Sequence, residues 1–264
     1  MNDSQALIES RVFTTRTVPL GRPLTWLVAG CRDFLACPWP GLSHGLAVAL
    51  FGYLLCWFIP DQFWLLAGAF SGFMLVAPVV ATGLYATSRA LEGGARVSAA
   101  TVLRAWLPHE KHLVVFGLLL ALAGSGWVVT SASLIKVFAA APVTTPEDFL
   151  RVVVLAEEGW LFEGWMALGG LLAAPVFASS VVAIPMLMEH DISVMGAVLT
   201  SWRTVLDNPA PLALWATAIA GFTLFGMATA LVGMLVVVPL LGHASWHAYR
   251  DLVPRNPQSA DARN

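Results

Sequence analysis

The longest uncharged run in the chain is Asn208–Tyr249, which contains 42 residues and no Asp, Glu, Lys or Arg. One helix over this run would be about 63 Å long at 1.5 Å per residue. That is twice the roughly 30 Å hydrocarbon core of a bilayer. We therefore predict two membrane-spanning helices here, at residues 209–227 and 230–250, with a turn near Gly226–Thr229. The second helix ends in a belt of aromatic and basic residues, as expected at a membrane interface.

The composition of the chain also indicates a membrane environment. Hydrophobic residues make up 58% of the chain and charged residues only 11%, whereas soluble domains carry about 25% charged residues. A net charge of −2 gives no basic field for nucleic acid. Because Cys31, Cys37 and Cys56 form no CxxC pair, we expect free thiols. The polar start of the chain predicts no signal peptide.

Four further stretches are apolar over a spanning length. Together with the first run they predict an all-α integral membrane protein with six transmembrane helices, at residues 41–59, 63–88, 112–135, 161–188, 209–227 and 230–250. We expect residues 21–253 to form a single transmembrane domain. A flexible cytoplasmic tail, 1–20, is predicted before it, and a second cytoplasmic tail, 254–264, after it.

Three short amphipathic segments precede pairs of spans, at residues 22–37, 97–110 and 192–207. They are too short and too polar to span, and their pattern favours helices that lie in the interface. Each contains Arg-x-x-Leu, so we predict three helix-hairpin repeats, each introduced by an interfacial helix. The second span of each repeat carries a proline expected to kink the helix: Pro78, Pro185 and Pro239. Static packing of bent helices and a moving hinge both fit this pattern.

The distribution of Lys and Arg predicts the orientation. With both termini in the cytoplasm, 12 of the 14 basic residues lie inside and only Lys136 and Arg151 lie outside. The basic residues expected at the inner interface include Arg32, Arg104, Arg203 and Arg250.

Histidines at the inner side are the main candidates for chemistry. His243 and His247 are spaced i, i+4, which places them on one helical face and suits a metal. Glu189, His190 and Asp191 end the fourth predicted span at a similar depth, so contact between the two helices would assemble a zinc or iron site. His44 and His243 are the one pair that could hold a haem. The alternative is that these side chains bond lipid headgroups, the backbone or each other, and no cofactor is expected on that interpretation.

Three functions fit these observations. The sequence has no charged residue in mid-membrane, which argues against a proton pathway, and no nucleophile–base or nucleotide-binding motif, so we expect no enzymatic activity. A non-catalytic accessory or scaffolding component of a membrane complex, with a partner protein as well as lipid around it, is the favoured interpretation. The alternatives are a transporter or channel for a small or lipidic solute, and a metal- or haem-binding membrane protein.

Three motifs carry a resemblance to a known family: LTWLVAGCRDFLACPWPGLSHG, SWRTVLDNPAPLALWA and LLGHASWHAYRDLV. Over about residues 15–253 the chain resembles a proteobacterial family of predicted integral membrane proteins of unknown function. The resemblance implies a six-span protein of the bacterial inner membrane. Some members carry the label "cytochrome c oxidase subunit I". This sequence does not support that label, because it has six predicted spans and no adjacent histidines, but a role beside a respiratory complex fits the accessory interpretation.

Overall fold

The computed structural model describes residues 3–58, 63–106, 111–156 and 159–254, and every regular element in them is helical. The predicted all-α class is therefore confirmed for this part of the chain. The helices are α1 (Asp3–Val12), α2 (Arg22–Ala36), α3 (Pro38–Phe58), α4 (Phe63–Val80), α5 (Thr82–Glu92), α6 (Ala99–Trp106), α7 (Lys111–Phe138), α8 (Pro146–Asp148, continued by a π-helix Phe149–Val154), α9 (Leu161–Ser180), α10 (Ala183–Glu189), α11 (Val194–Asp207), α12 (Pro209–Ala228) and α13 (Met234–Leu252).

Four helical stretches in the described residues are long and apolar enough to cross a membrane. They are α3, α7, α9 with α10, and α12, and they coincide with four of the predicted spans. Large apolar side chains such as Leu118, Leu122 and Leu171 are at least 66% exposed on the surfaces of these helices. A soluble protein rarely exposes contiguous apolar surface on this scale, so the chain is an integral membrane protein.

The long helices form two groups. In the first group, α13 packs against α2, α3 and α12; in the second, α7 packs against α4 and α9. Small residues bring the partners close together: a Cβ at Gly30 would lie 2.6 Å from the backbone nitrogen of Ala244, and one at Gly68 would lie 3.0 Å from the carbonyl oxygen of Val128. The short helices α5 and α11 contact members of both groups, and α10 contacts α7 and α9 and is hydrogen-bonded to α13 through Glu189 and Tyr249. These three helices therefore join the groups at one end of the bundle.

Two of the three predicted proline kinks lie beside helix breaks. The predicted span 161–188 is broken at Val181–Val182, and the ring of Pro185 disfavours a helical carbonyl at the residue four positions earlier, Val181. Within the break, the nitrogen of Val182 donates a 3.4 Å hydrogen bond to the hydroxyl of Ser201 on α11. The break between α4 and α5 falls at Ala81, three residues after Pro78. By contrast, α13 is one continuous helix through Pro239.

The connection between α12 and α13 lies later than predicted. The turn covers residues 229–233 rather than Gly226–Thr229, and α13 begins at Met234. Ala230 and Leu231 have φ values of 51° and 64°, a left-handed conformation that is rare for residues with a side chain. No glycine or asparagine signals the turn at these two positions, which is why its place could not be read from the sequence.

The first twenty residues differ from the predicted flexible tail. Residues 3–12 form α1, which packs against α11, and the Glu9 carboxylate accepts a hydrogen bond from the hydroxyl of Ser193. Asn208 then fixes the following segment, because its side chain accepts from the nitrogen of Val18 at 2.8 Å and donates to the carbonyl of Arg16 at 3.0 Å. The second predicted tail lies almost entirely outside the described residues.

Candidate functional site

A cavity of about 620 Å³ separates the two helix groups. Its walls come from α4, α9, α12 and α13, with Phe73, Phe177, Trp215 and Leu241 among the larger side chains. Both helix breaks border it, through Ala81 and Val181. The cavity therefore lies between the two groups, where α4 and α9 face α12 and α13 without packing closely against them.

Four of the polar side chains around this cavity are bonded within the protein. Ser180 donates to the carbonyl of Phe177 at 3.3 Å, Thr217 to that of Ala213 at 2.9 Å and Ser245 to that of Leu241 at 2.7 Å. Tyr85 is hydrogen-bonded to Ser245. The cavity lining contains no Asp, Glu, Lys or Arg among the described residues. Such a lining favours an apolar ligand, because a polar ligand would lose its water without gaining partners.

Small side chains line the cavity where α9 faces α12. On α9 these are Gly170, Ala173 and Ala174; on α12 they are Ala213, Ala216 and Ala220. Gly170, Ala174 and Ala213 line the cavity and are nevertheless exposed. The cavity is therefore accessible from the side of the bundle, through a gap between two helices that are apolar enough to cross a membrane.

His243 and His247 on α13 belong to a hydrogen-bonded cluster, and neither histidine lines the cavity. The Nδ1 atom of His243 is 2.7 Å from the hydroxyl of Ser88 on α5, and both residues are fully buried. Asp33 on α2 is 2.8 Å from the Nε2 atom of His247 and is also bonded to Ser88. Burial alone would raise the pKa of Asp33, but the hydrogen bonds from His247 and Ser88 outweigh it and lower the pKa.

The metal site predicted from His190, His243, His247, Glu189 and Asp191 is not assembled in this arrangement. Glu189 accepts a 2.8 Å hydrogen bond from the hydroxyl of Tyr249, and the ring of His190 packs at a tilt against that of Phe13. Asp191 is exposed. Within the described part of the chain, no three His, Cys, Asp or Glu side chains gather as metal ligands. The reason is that α5 and α2 pack beside α13 and supply Ser88 and Asp33 as partners for its two histidines.

Two of the four predicted interfacial arginines, Arg250 and Arg203, bind other residues of the protein. Arg250 is 14% exposed and lies between Glu92, at 3.2 Å, and Glu189, at 3.5 Å. Arg203 donates to the carbonyl of Phe13. Arg32 is exposed on α2. The side chain of Arg104 lies outside the described residues.

A second charged network, around Asp251, has no signal in the sequence. The carboxylate of Asp251 accepts hydrogen bonds from the Nε atom of Arg22 at 2.5 Å and from the indole of Trp26 at 3.0 Å, and Arg16 lies 3.4 Å away. These residues come from opposite ends of the chain, so no local pattern could have signalled the contact. Burial would raise the pKa of Asp251, but the hydrogen bonds from Arg22 and Trp26 lower it.

Comparison with known proteins adds one match. Residues 65–189 match the model of a family described as predicted integral membrane protein (DUF2189). No curated protein and no solved structure matches the chain. The matched range starts in α4 and ends with α10, so it contains the second helix group and one wall of the cavity. Over these residues the chain is similar to a family of predicted integral membrane proteins of unknown function.

Proposed function

We propose that this protein binds the apolar chain of a lipid, or a similar hydrophobic solute, in the cavity between its two helix groups and carries it within the membrane. The cavity is the observation that supports this proposal. Its volume of about 620 Å³ falls within the roughly 300–1,000 Å³ of small-molecule sites. Its apolar lining and its lateral gap between α9 and α12 suit a ligand that arrives from the bilayer.

Blocking the cavity tests the proposal. Ala216→Trp on α12 places an indole in the lining, whereas Leu224→Trp changes a side chain on the same helix that is 59% exposed and outside the cavity. In nanodiscs containing a photoactivatable phospholipid, we expect Ala216→Trp to reduce crosslinking to α9 and α12 peptides about tenfold, a loss of roughly 1.4 kcal/mol in binding. Crosslinking by Leu224→Trp should equal that of the wild type. Equal crosslinking in Ala216→Trp would contradict the proposal.

We also propose six spans, with α4–α5 and α13 as the second and sixth and both termini in the cytoplasm of a bacterial inner membrane. Two observations support this: α4 packs along α7, and α13 packs along α3, so each lies beside a helix that meets the length and hydropathy of a span. The order of short helix, long helix and second helix occurs three times, at α2–α5, α6–α10 and α11–α13, which supports the repeat.

Labelling of single cysteines tests the orientation. In a background with Cys31, Cys37 and Cys56 replaced by serine, Glu147→Cys lies on the proposed outer side and Asp207→Cys on the inner side; both positions are exposed. We expect a membrane-impermeant maleimide added to spheroplasts to label Glu147→Cys, and to label Asp207→Cys only after permeabilisation. The reverse pattern would show the opposite orientation, and labelling of both positions in intact spheroplasts would contradict the single span, α9–α10, that is assigned between them.

The accessory or scaffolding role in a membrane complex, respiratory or other, and the lack of enzymatic activity stay predictions. They are compatible with a lipid-binding cavity, because accessory membrane subunits also hold lipids between helices. Purification from the native membrane in a gentle detergent, followed by quantitative mass spectrometry, separates the two roles. A protein recovered in one-to-one ratio would favour the accessory role, and a partner-free preparation would favour the carrier.

A further inference from the structure

The cavity lies towards the end of the bundle where α5, α10 and α11 join the two helix groups, which we call the joined end. On α4 its lining runs from Phe73 to Ala81, at the start of α5. On α9 it runs from Gly170 to Val181, just before α10, and α11 contributes Val205. Among the described residues, nothing on α4 before Phe73 and nothing on α9 before Gly170 lines the cavity.

The depth of the cavity matches one leaflet of a bilayer. At 1.5 Å per residue, the lining from Gly170 to Ser180 on α9 is about 15 Å long and that from Met234 to Ser245 on α13 is about 17 Å long. Half of the roughly 30 Å hydrocarbon core is about 15 Å. The cavity is therefore deep enough for a lipid chain of one leaflet and too short to connect the two surfaces of the membrane.

Side chains fill the end of the cavity that faces away from the joined end, its far end. Phe73 and Met234 line both the cavity and a second pocket beyond it, whose volume is only about 30 Å³, which is room for about one water molecule. Met234 is 1% exposed, and a Cβ at Gly226 on α12 would lie 2.9 Å from its sulfur. The space for an apolar chain therefore ends at Phe73, Met234 and the neighbouring Thr223.

The gap between α9 and α12 follows the whole depth of the cavity. Ala213 lies one turn after the start of α12, near the joined end, and Gly170 lies at the far end of the lining on α9; both are exposed. A chain can therefore enter sideways along its full length. The described lining has no charged side chain, and Tyr85 and Ser245 are bonded to each other. Because a charged headgroup would find no partner inside, it stays at the membrane surface.

We propose that the ligand is an acyl chain of a lipid in the leaflet at the joined end, which is the cytoplasmic leaflet in the orientation proposed above. Its terminal methyl group lies at Phe73, Thr223 and Met234, and its headgroup remains outside the gap at the joined end. This inference rests on the proposed function and narrows it. The lipid is taken from one leaflet and returned to the same leaflet, because the far end gives it no path across the membrane.

Two photoactivatable phosphatidylcholines test this arrangement in nanodiscs that hold the full-length protein. Their chains are equally long, but the diazirine lies at the terminal carbon in the distal probe and beside the ester in the proximal probe. Because the headgroup stays in water, we expect the distal probe to label Phe73, Thr223 and Met234 roughly fivefold more strongly than the proximal probe does. The proximal probe should label Val205 and Pro209 more strongly, by a similar factor.

Thr223→Trp provides a second measurement. An indole at the far end shortens the cavity and leaves the joined end unchanged, so the affinity for a lipid with oleoyl chains should fall about tenfold. A lipid with lauroyl chains should bind as it does to the wild type. Ala216→Trp, in the middle of α12, should weaken the binding of both lipids, and Leu224→Trp, which is outside the cavity, should change neither.

The labelling pattern separates a failure of this inference from a failure of the proposed function. Labelling in the reverse order, or equal labelling of both ends by the two probes, would overturn the inference and leave the cavity as a lipid site. No labelling of the cavity by either probe would overturn the proposed function with it. The wild-type pattern needs no substitution, so it remains decisive even if Thr223→Trp does not fold.

Discussion

Replacing Gly45 with alanine is expected to lower the free energy of unfolding by about 3 kcal/mol, at the upper end of the usual cost of overpacking. The new Cβ would lie 2.6 Å from Cα of Leu235 and 2.7 Å from the carbonyl oxygen of Met234. Both atoms belong to the backbone of α13, so no side chain can turn away to make room. The contact can be relieved only if α3 and α13 separate, which would expose the interface that buries His44 and Met234.

A matched substitution should have the opposite sign. Gly126 lies in the middle of α7, and a Cβ there would meet nothing within 4 Å. Gly126→Ala therefore adds only helix propensity, worth about 0.5–1 kcal/mol of stabilisation. Thermal unfolding of both variants in the same detergent measures the difference. If Gly45→Ala unfolds at or above the temperature of Gly126→Ala, the close approach of α3 and α13 is incorrect.

Replacing Asp251 with asparagine is the second substitution with a large expected effect, a loss of about 2 kcal/mol, the range for hydrogen bonds to a charged group. The carboxylate side chain is only 9% exposed and is approached by Arg22 and Arg16, as well as by the indole of Trp26. An amide cannot accept all of these donors and leaves the guanidinium of Arg22 without its counter-charge. The N-terminal segment would then detach from α13, which limited proteolysis can detect.

Asp207→Asn is the control for this prediction. Asp207 is exposed and accepts a hydrogen bond from Thr15, and exposed polar contacts of this kind contribute little. We expect a change below about 0.5 kcal/mol. Equal destabilisation by the two substitutions would show that the Asp251 network does not hold the two ends of the chain together.

The lowered pKa of Asp251 also gives a sign for the pH dependence. A carboxyl group whose pKa is lower in the folded protein stabilises the fold above its ordinary pKa, and this stabilisation is lost as the pH falls through the folded value. The stability of the wild type should therefore decline below about pH 4 more steeply than that of Asp251→Asn. Parallel curves for the two proteins between pH 6 and pH 3 would contradict the role of this carboxylate.

Much of the helical organisation follows from local patterns. Four uncharged runs predicted spans within a few residues of α3, α7, α9–α10 and α12, because a bilayer accepts only helices whose side chains are apolar over the full thickness. The amphipathic segments at 22–37 and 192–207 likewise predicted α2 and α11. These features depend on residues close together in the chain, so the sequence alone is sufficient to locate them.

The partners of the histidines and the cavity depend on how the helices are rotated and paired. The spacing of His243 and His247 correctly placed them on one face of α13, but nothing local showed that Ser88, 155 residues away, and Asp33, 214 residues from His247, would occupy that face. His243 and His247 are therefore hydrogen-bonded to Ser88 and Asp33, and they do not form a metal site with Glu189. The cavity has the same origin, since it arises where α9 and α12 fail to fill the space between two tightly paired groups. Apolar runs determine that a helix enters the membrane; only close contacts between helices, set by glycines such as Gly30 and Gly45, determine which of its faces meet.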